Sequence, residues 1–280
     1  EMCIRDSSVG MALFQVPQGP CTFPDDPKNQ SRNEDAFIAF TWRQYLDLKR
    51  AGDPNADYWL APLPMIKASV RAMDATQEFL SQCKDCATQG HVPKNFIVYG
   101  ASKRGWTTWL TGAVDDRVIG IAPIVMDALN LHGLFHRWWQ SLGGWSFATW
   151  DYFSLGIMGE IDTPEFTSMA AIIDPISYKD RLEDIPKLVV TSSNDEFFMP
   201  YDNHLWWDDM PGVKHSLIAV NSDHRDNSWC GMTSPSMVAW ANGIMHKNPA
   251  ANPELAWNTW YTTEGQTQTA HLNVTLTLGE

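Results

Sequence analysis

Long apolar runs are missing from this sequence. Nowhere does an uninterrupted hydrophobic stretch reach the roughly 20 residues that a bilayer crossing needs, so no membrane span is expected. Positive charge is scarce as well: 20 lysines and arginines face 33 aspartates and glutamates, a formal net charge of −13. A nucleic-acid partner needs a clustered basic surface, and none is available here. The acidity reads as a solvated surface and says little about a substrate. Residues 1–20 lack the basic start, apolar centre and small-residue cleavage site of a secretory leader, so localisation is not legible at this end. Cysteine is sparse and odd in number (Cys3, Cys21, Cys83, Cys86, Cys230). Cys83 and Cys86 have redox or zinc spacing, but no second such pair is found. A local disulfide or two free thiols is the reading there, and the pairing of Cys21, Cys83, Cys86 and Cys230 stays open. Internal repeats and low-complexity tracts are absent.

What is present suits a globular protein with one large core or two modest ones: 280 residues, 44% of them apolar, with 14 tryptophans. Trp138, Trp139, Trp145 and Trp150 share one stretch with Phe135, Phe147, Tyr152 and Phe153, and either pack a core or line a pocket. Residues 1–8 flow poorly into the apolar run 9–16 and are expected to be foreign to the fold. Residues 11–16 read as a buried strand and 17–27 as a loop. Helical spacing appears over 34–49 and 64–80, and short β-rich runs at 95–99, 118–125, 187–191 and 215–220. Helices are expected at 203–210 and 236–245. The alternation of 272–278 predicts a half-buried strand whose partner would lie further on. Strands alternating with helices imply an α/β fold, a mostly parallel sheet with helices on both faces. A hydrolase-type core over 9–250, a Trp-rich insertion at about 131–178 and the start of a C-terminal β region at 251–280 complete the expected layout, with chain missing at both ends.

One segment carries chemistry. The run 95–99 leads into Gly100-Ala-Ser102-Lys-Arg104-Gly105 and then an amphipathic helix, which is strand, sharp turn, helix. Such a turn lifts a serine above the sheet and points helix N-terminal N–H groups at a reacting oxygen. A serine hydroxyl also needs a base and an oxyanion donor. Asp195 comes after the run 187–191 and His224 after 215–220, the Ser, acid, His order of an α/β-hydrolase. Ser102 is therefore the expected nucleophile, His224 the base, Asp195 its orienting acid and the Lys103 N–H an oxyanion donor. The Lys103 side chain reads as solvent-exposed. Arg104 replaces the second glycine of G-x-S-x-G, and Glu196 or Asp127 could stand in as the acid. His132 and His136 are four apart, but no Glu lies between them in the zinc-protease pattern and Gly133 weakens a helix there. No metal and no cofactor is expected.

The segments 64–74, 100–108, 174–178 and 187–198 (Lys-Leu-Val-Val-Thr-Ser-Ser-Asn-Asp-Glu-Phe-Phe) closely resemble the PhoPQ-activated pathogenicity-related protein family, which includes a secreted autocrine proliferation repressor of a social amoeba. The resemblance runs from about residue 11 to 250. It implies an α/β-hydrolase with an added C-terminal β region, an extracellular or periplasmic setting, and a serine, acid and histidine falling on Ser102, Asp195 and His224. It also implies an upstream Gly-Gly loop supplying a second oxyanion donor, expected to precede this sequence. The Ser-basic-x-Gly spacing resembles glucuronoyl esterases more distantly. The expected activity is a secreted serine hydrolase acting on an ester or amide in a small-molecule, peptide or glycan-ester substrate. The alternatives are a signalling or binding protein on the same scaffold with a vestigial triad, or a carbohydrate-binding module resting on the Trp cluster.

Overall fold

The computed structural model describes residues 8–24, 26–83, 92–225, 229–246 and 254–277. Residues 1–7, most of the segment expected to be foreign, lie outside that set, as does Cys86. The contacts divide the chain into two compact units, 1–235 and 236–280.

The first unit is built on four parallel strands, β1 (Phe96–Ala101), β2 (Val118–Ile124), β3 (Lys187–Ser192) and β4 (Lys214–Ala219), adjacent in that order. Parallel neighbours need crossover connections, and the two inner strands must then be covered on both faces. Accordingly β3 is buried at every residue and β2 at all but one, and both read as continuous runs rather than alternating ones. The β1–β2 crossover is helix α3 (Lys103–Val114), which packs on both strands and on α2 (Pro62–Gln82). Trp109 of α3 is completely buried, with Nε1 donating to the Met126 carbonyl at 3.3 Å and its ring edge-on to Trp206 at 5.6 Å.

Between β2 and β3 lies the aromatic insertion, with α4 (Leu131–Leu142), α5 (Trp150–Ser154) and α6 (Pro164–Ile173). It folds onto α1 (Glu34–Arg50) around Trp42, whose ring meets Trp106, Phe135, Tyr152 and Phe166 edge-on at 5.2–6.5 Å. Edge-to-face packing is the favoured aromatic geometry, and it makes Trp42 the joint between the insertion and the sheet's own helices. Asp174 fixes the insertion at its two ends: its carboxylate accepts the backbone N–H of Asn130 and Leu131 at the start of α4, and that of Ile176.

Three expectations are corrected. Residues 11–16 form no strand and are exposed up to Gln15, because among the described residues no strand pairs with the run. Residues 203–210 are not an α-helix: a 3₁₀ turn, Asp202–Leu205, gives way to further turns as Trp206 is drawn under Trp109, and Gly212 at φ +76° ends the segment. In the second unit, β6 (Thr267–Thr277) pairs antiparallel with the strand before it, β5 (Glu254–Glu264), rather than with one after it. Nearly every described side chain of the hairpin is exposed, so β6 is not half-buried. The other described residues of that unit, apart from the hairpin turn, belong to α7 (Ser234–His246).

Candidate active site

Ser102 stands between the last residue of β1 and the first of α3, with φ +57° and ψ −127°. A non-glycine residue in such a conformation costs roughly 1–3 kcal/mol and persists only where its surroundings dictate it. Here they do. The Ser102 N–H donates to the Ile124 carbonyl at 2.8 Å, and its own carbonyl accepts from Gly105 at 2.7 Å and Trp106 at 3.1 Å. A Cβ on Gly100 would lie 2.7 Å from the Arg104 carbonyl oxygen and 2.8 Å from the Arg104 Cβ. A Cβ on Gly105 would lie 2.6 Å from the Met126 Cβ. These distances explain the shifted glycine: Arg104 is accommodated because Gly100 opposite is bare, and the helix makes its tight approach to the sheet one residue later, at Gly105.

The turns after β3 and β4 bring two more side chains to this elbow. His224 Nε2 lies 2.8 Å from Ser102 Oγ, and His224 Nδ1 lies 2.9 and 3.0 Å from the two oxygens of Asp195. Asp195 Oδ1 also accepts the backbone N–H groups of Phe197 (2.8 Å) and Phe198 (3.1 Å), and its side chain is 1% exposed. The Phe197 and Phe198 rings sit 4.5 and 5.9 Å from the His224 ring. Glu196, the alternative acid, accepts the backbone N–H of His224 instead of its ring. Asp127, the other alternative, is completely buried, accepts the Trp206 indole N–H at 2.7 Å and is pushed well above the usual carboxylate range by burial. The chain order thus assembles serine, imidazole and carboxylate in one line, able to pass a proton from Oγ to Nε2 while the carboxylate holds Nδ1–H.

Lys103 opens α3, where a backbone N–H has no preceding helical carbonyl to meet. Its side chain is buried, not exposed as expected: Nζ lies 2.9 Å from Glu34 Oε2 and 3.0 Å from Asp35 Oδ2. Arg104 forms a two-pronged pair with the same Glu34. Hydrogen bonding to Arg104, aided by Lys103, holds the Glu34 carboxyl down at about 2. The start of α1 is therefore clamped to the elbow by four charges that sum to zero. Sequence reading missed Glu34 and Asp35, which are separated from Lys103 by some 70 positions and lie in an unremarkable acidic first turn.

A narrow cavity with about 40 Å³ of room for water-sized occupants opens on Ser102. Its walls are mainly apolar, with Trp42, Trp106, Leu134, Phe135, Trp138 and Phe198 prominent and Asp35 and Lys103 as polar members. Of the four tryptophans singled out, Trp138 lines it. Trp139 is half exposed and lies tilted against Trp145 at 5.3 Å, Trp145 packs against Phe135, and Trp150 is exposed. Among the described cysteines, Cys21 is free and Cys83 is disulfide-bonded.

The family model described as PhoPQ-activated pathogenicity-related protein matches residues 1–277. The chain belongs to this family. Within the curated proteins, this PhoPQ-related chain is 38% identical over 275 residues to "Autocrine proliferation repressor protein A" of Dictyostelium discoideum. The match takes in 98% of this chain and 52% of that relative, so the chain spans about half its length. Solved structures that resemble it include a puromycin-hydrolyzing peptidase of Mycobacterium tuberculosis (17% identity, 66% of this chain and 26% of that one, TM-score 0.45). Another is an acetyl xylan esterase from Paenibacillus sp. R4 (12% identity, 66% and 54%, TM-score 0.45). The α/β-hydrolase architecture of the PhoPQ-related chain follows from the parallel sheet and the elbow themselves. Among the described residues no helix is long and apolar enough to cross a membrane.

Proposed function

We propose that this protein is a secreted serine hydrolase that cleaves an ester or amide through an acyl-enzyme on Ser102. The observation that carries the reading is the 2.8 Å contact between Ser102 Oγ and His224 Nε2 at a strained elbow, with Asp195 on the far side of the imidazole. His224 takes the Oγ proton as Oγ bonds to the substrate carbonyl carbon, and Asp195 stabilises the resulting imidazolium. The Lys103 N–H donates to the developing oxyanion. His224 then returns the proton to the departing alcohol or amine, and water repeats the sequence to release the acid. The small, apolar cavity favours a short acyl group of a small-molecule, peptide or glycan ester. The disulfide at Cys83 supports an oxidising, extracellular or periplasmic setting.

Labelling with a fluorophosphonate tests the reading. Stoichiometric modification that maps to Ser102 and disappears in Ser102→Ala is expected, whereas equal labelling of both proteins would overturn it. A second reading, a signalling protein on this scaffold, draws on the name of the Dictyostelium relative. Under it, Ser102→Ala would keep full biological activity; under the hydrolase reading that activity is lost while the fold is intact.

A further inference from the structure

The insertion carries a second constellation, on the face of α4 turned away from the cavity. His132 and His136 are one helical turn apart, and both Nε2 atoms lie 2.8 Å from the same oxygen, Asp162 Oδ1. Asp162 comes from the turn that leads into α6, and the imidazole centroids are 4.7 Å apart. The three donor atoms all lie within 4.8 Å of one another. Helix α4 runs unbroken through Gly133 to Leu142, with the Asn130 side chain accepting the Gly133 N–H at 3.2 Å.

We propose that His132, His136 and Asp162 form a binding site for a divalent d-block cation, zinc first among them. Two imidazoles and one carboxylate are the ligand types zinc prefers. Tetrahedral zinc at about 2.0–2.1 Å from each ligand needs donor separations of roughly 3.3 Å. The two 2.8 Å contacts reach that by opening about half an ångström and the two nitrogens, within 4.8 Å of each other, by closing at most about 1.5 Å, movements that side chains this exposed make freely. All three ligands are open to solvent, so water takes the fourth position. Both nitrogens converge on one carboxylate oxygen, an arrangement that an ion relieves by replacing two competing hydrogen bonds with three metal bonds.

The location gives the site a purpose. Leu131, Leu134, Phe135 and Trp138 on α4 line the cavity beside Ser102. The 162–174 segment is already tied to the start of α4 at its far end by Asp174, which accepts the Asn130 and Leu131 N–H groups. A metal clip at Asp162 ties the near end as well, so the ion braces the cavity wall from behind without touching the reacting atoms.

Zinc chloride and cobalt chloride titrations of the purified, metal-stripped protein test this. One ion per chain is expected, with tetrahedral cobalt absorption in the visible. At a hundredfold excess over Kd, zinc should raise Tm by roughly 5 °C. His132→Gln, His136→Gln and Asp162→Asn, all at solvent-accessible positions, should each weaken binding at least about tenfold and remove the cobalt bands. Absence of 1:1 binding below about 1 mM in the unaltered protein would overturn the proposal. So would cobalt bands or a zinc-induced Tm rise that persist undiminished in all three variants. Because the readouts are spectroscopic and thermal, they stand whether or not Ser102 is catalytic.

Discussion

Replacing Asp195 by asparagine probes the relay without moving its atoms. The amide oxygen of the substituted side chain can keep the Phe197 and Phe198 N–H groups that Asp195 Oδ1 accepts at 2.8 and 3.1 Å. The loop should therefore hold, and the cost in stability is that of one charge-assisted bond, about 1.5–3 kcal/mol at most. What changes is the group facing His224 Nδ1. An NH₂ there donates, so Nδ1 must accept and Nε2 must carry the proton. Nε2–H then points at Ser102 Oγ from 2.8 Å and cannot receive its proton. The same replacement in a serine protease lowers turnover by about 10⁴. That corresponds to about 5.5 kcal/mol of transition-state stabilisation. The assay is the second-order rate of fluorophosphonate labelling, measured beside a thermal melt. A fall of three to four orders of magnitude with a Tm within a few degrees is expected for Asp195→Asn. An unchanged labelling rate would refute the assignment of Asp195 as the orienting acid.

Substitutions at four further positions have outcomes set by the packing and charges around the elbow and the insertion. Gly105→Ala places a Cβ 2.6 Å from that of Met126, so overpacking should cost about 1–3 kcal/mol in a denaturant melt and slow labelling of Ser102 by displacing the elbow. Burial raises the Asp174 carboxyl from 3.8 to about 6, against the pull of the Leu131, Ile176 and Asn130 N–H groups. The folded state therefore holds that proton more tightly, and stability from this group is full below about pH 4 and is lost as the pH rises through 6. Comparing melts of the protein and Asp174→Asn across pH 4–7 should show the slope vanish in the variant. Glu34, held down by Arg104 and Lys103, works the other way: its contribution is present above pH 4.5 and lost as the pH falls toward 2, seen as a weaker pH dependence of acid unfolding in Glu34→Gln. Lys103→Met removes the cation beside Asp35, leaving its charge at an apolar cavity with the Tyr152 hydroxyl, and should destabilise the fold in a thermal melt, and Lys103→Arg should restore only part of the loss.

Legibility varies with the range of the forces involved. The inner strands 118–124 and 187–192 are readable because a strand buried on both faces must be a continuous apolar run, the edge strands 96–101 and 214–219 stand out as short β-rich runs, and the loop after a parallel strand is where such sheets present functional side chains. That periodicity and order lead to Ser102, Asp195 and His224. Residues 11–16 have equal β character, but a strand exists only with a ladder partner, which local composition does not encode. Residues 203–210 depart from a helix for a related reason, since the burial of Trp206 against Trp109 and Asp127 outweighs helical propensity. Lys103 looks like any surface lysine because its partners, Glu34 and Asp35, are distant in sequence. Asp162 is likewise silent: two histidines at helical spacing carry only part of a ligand set, and the third member arrives by the path of the chain.

The pair Phe197 and Phe198 touches His224 with its rings and Asp195 with its backbone. Every residue type except proline has the N–H that the acid requires, so the acid is held by the peptide chain and not by the identity of either side chain. The rings, which form part of the cavity wall, are then free to vary. Substitution at these two positions can thus reshape the cavity while the hydrogen bonds that fix Asp195 stay in place, so the width of the cavity and the hold on the acid are set by separate parts of the same two residues.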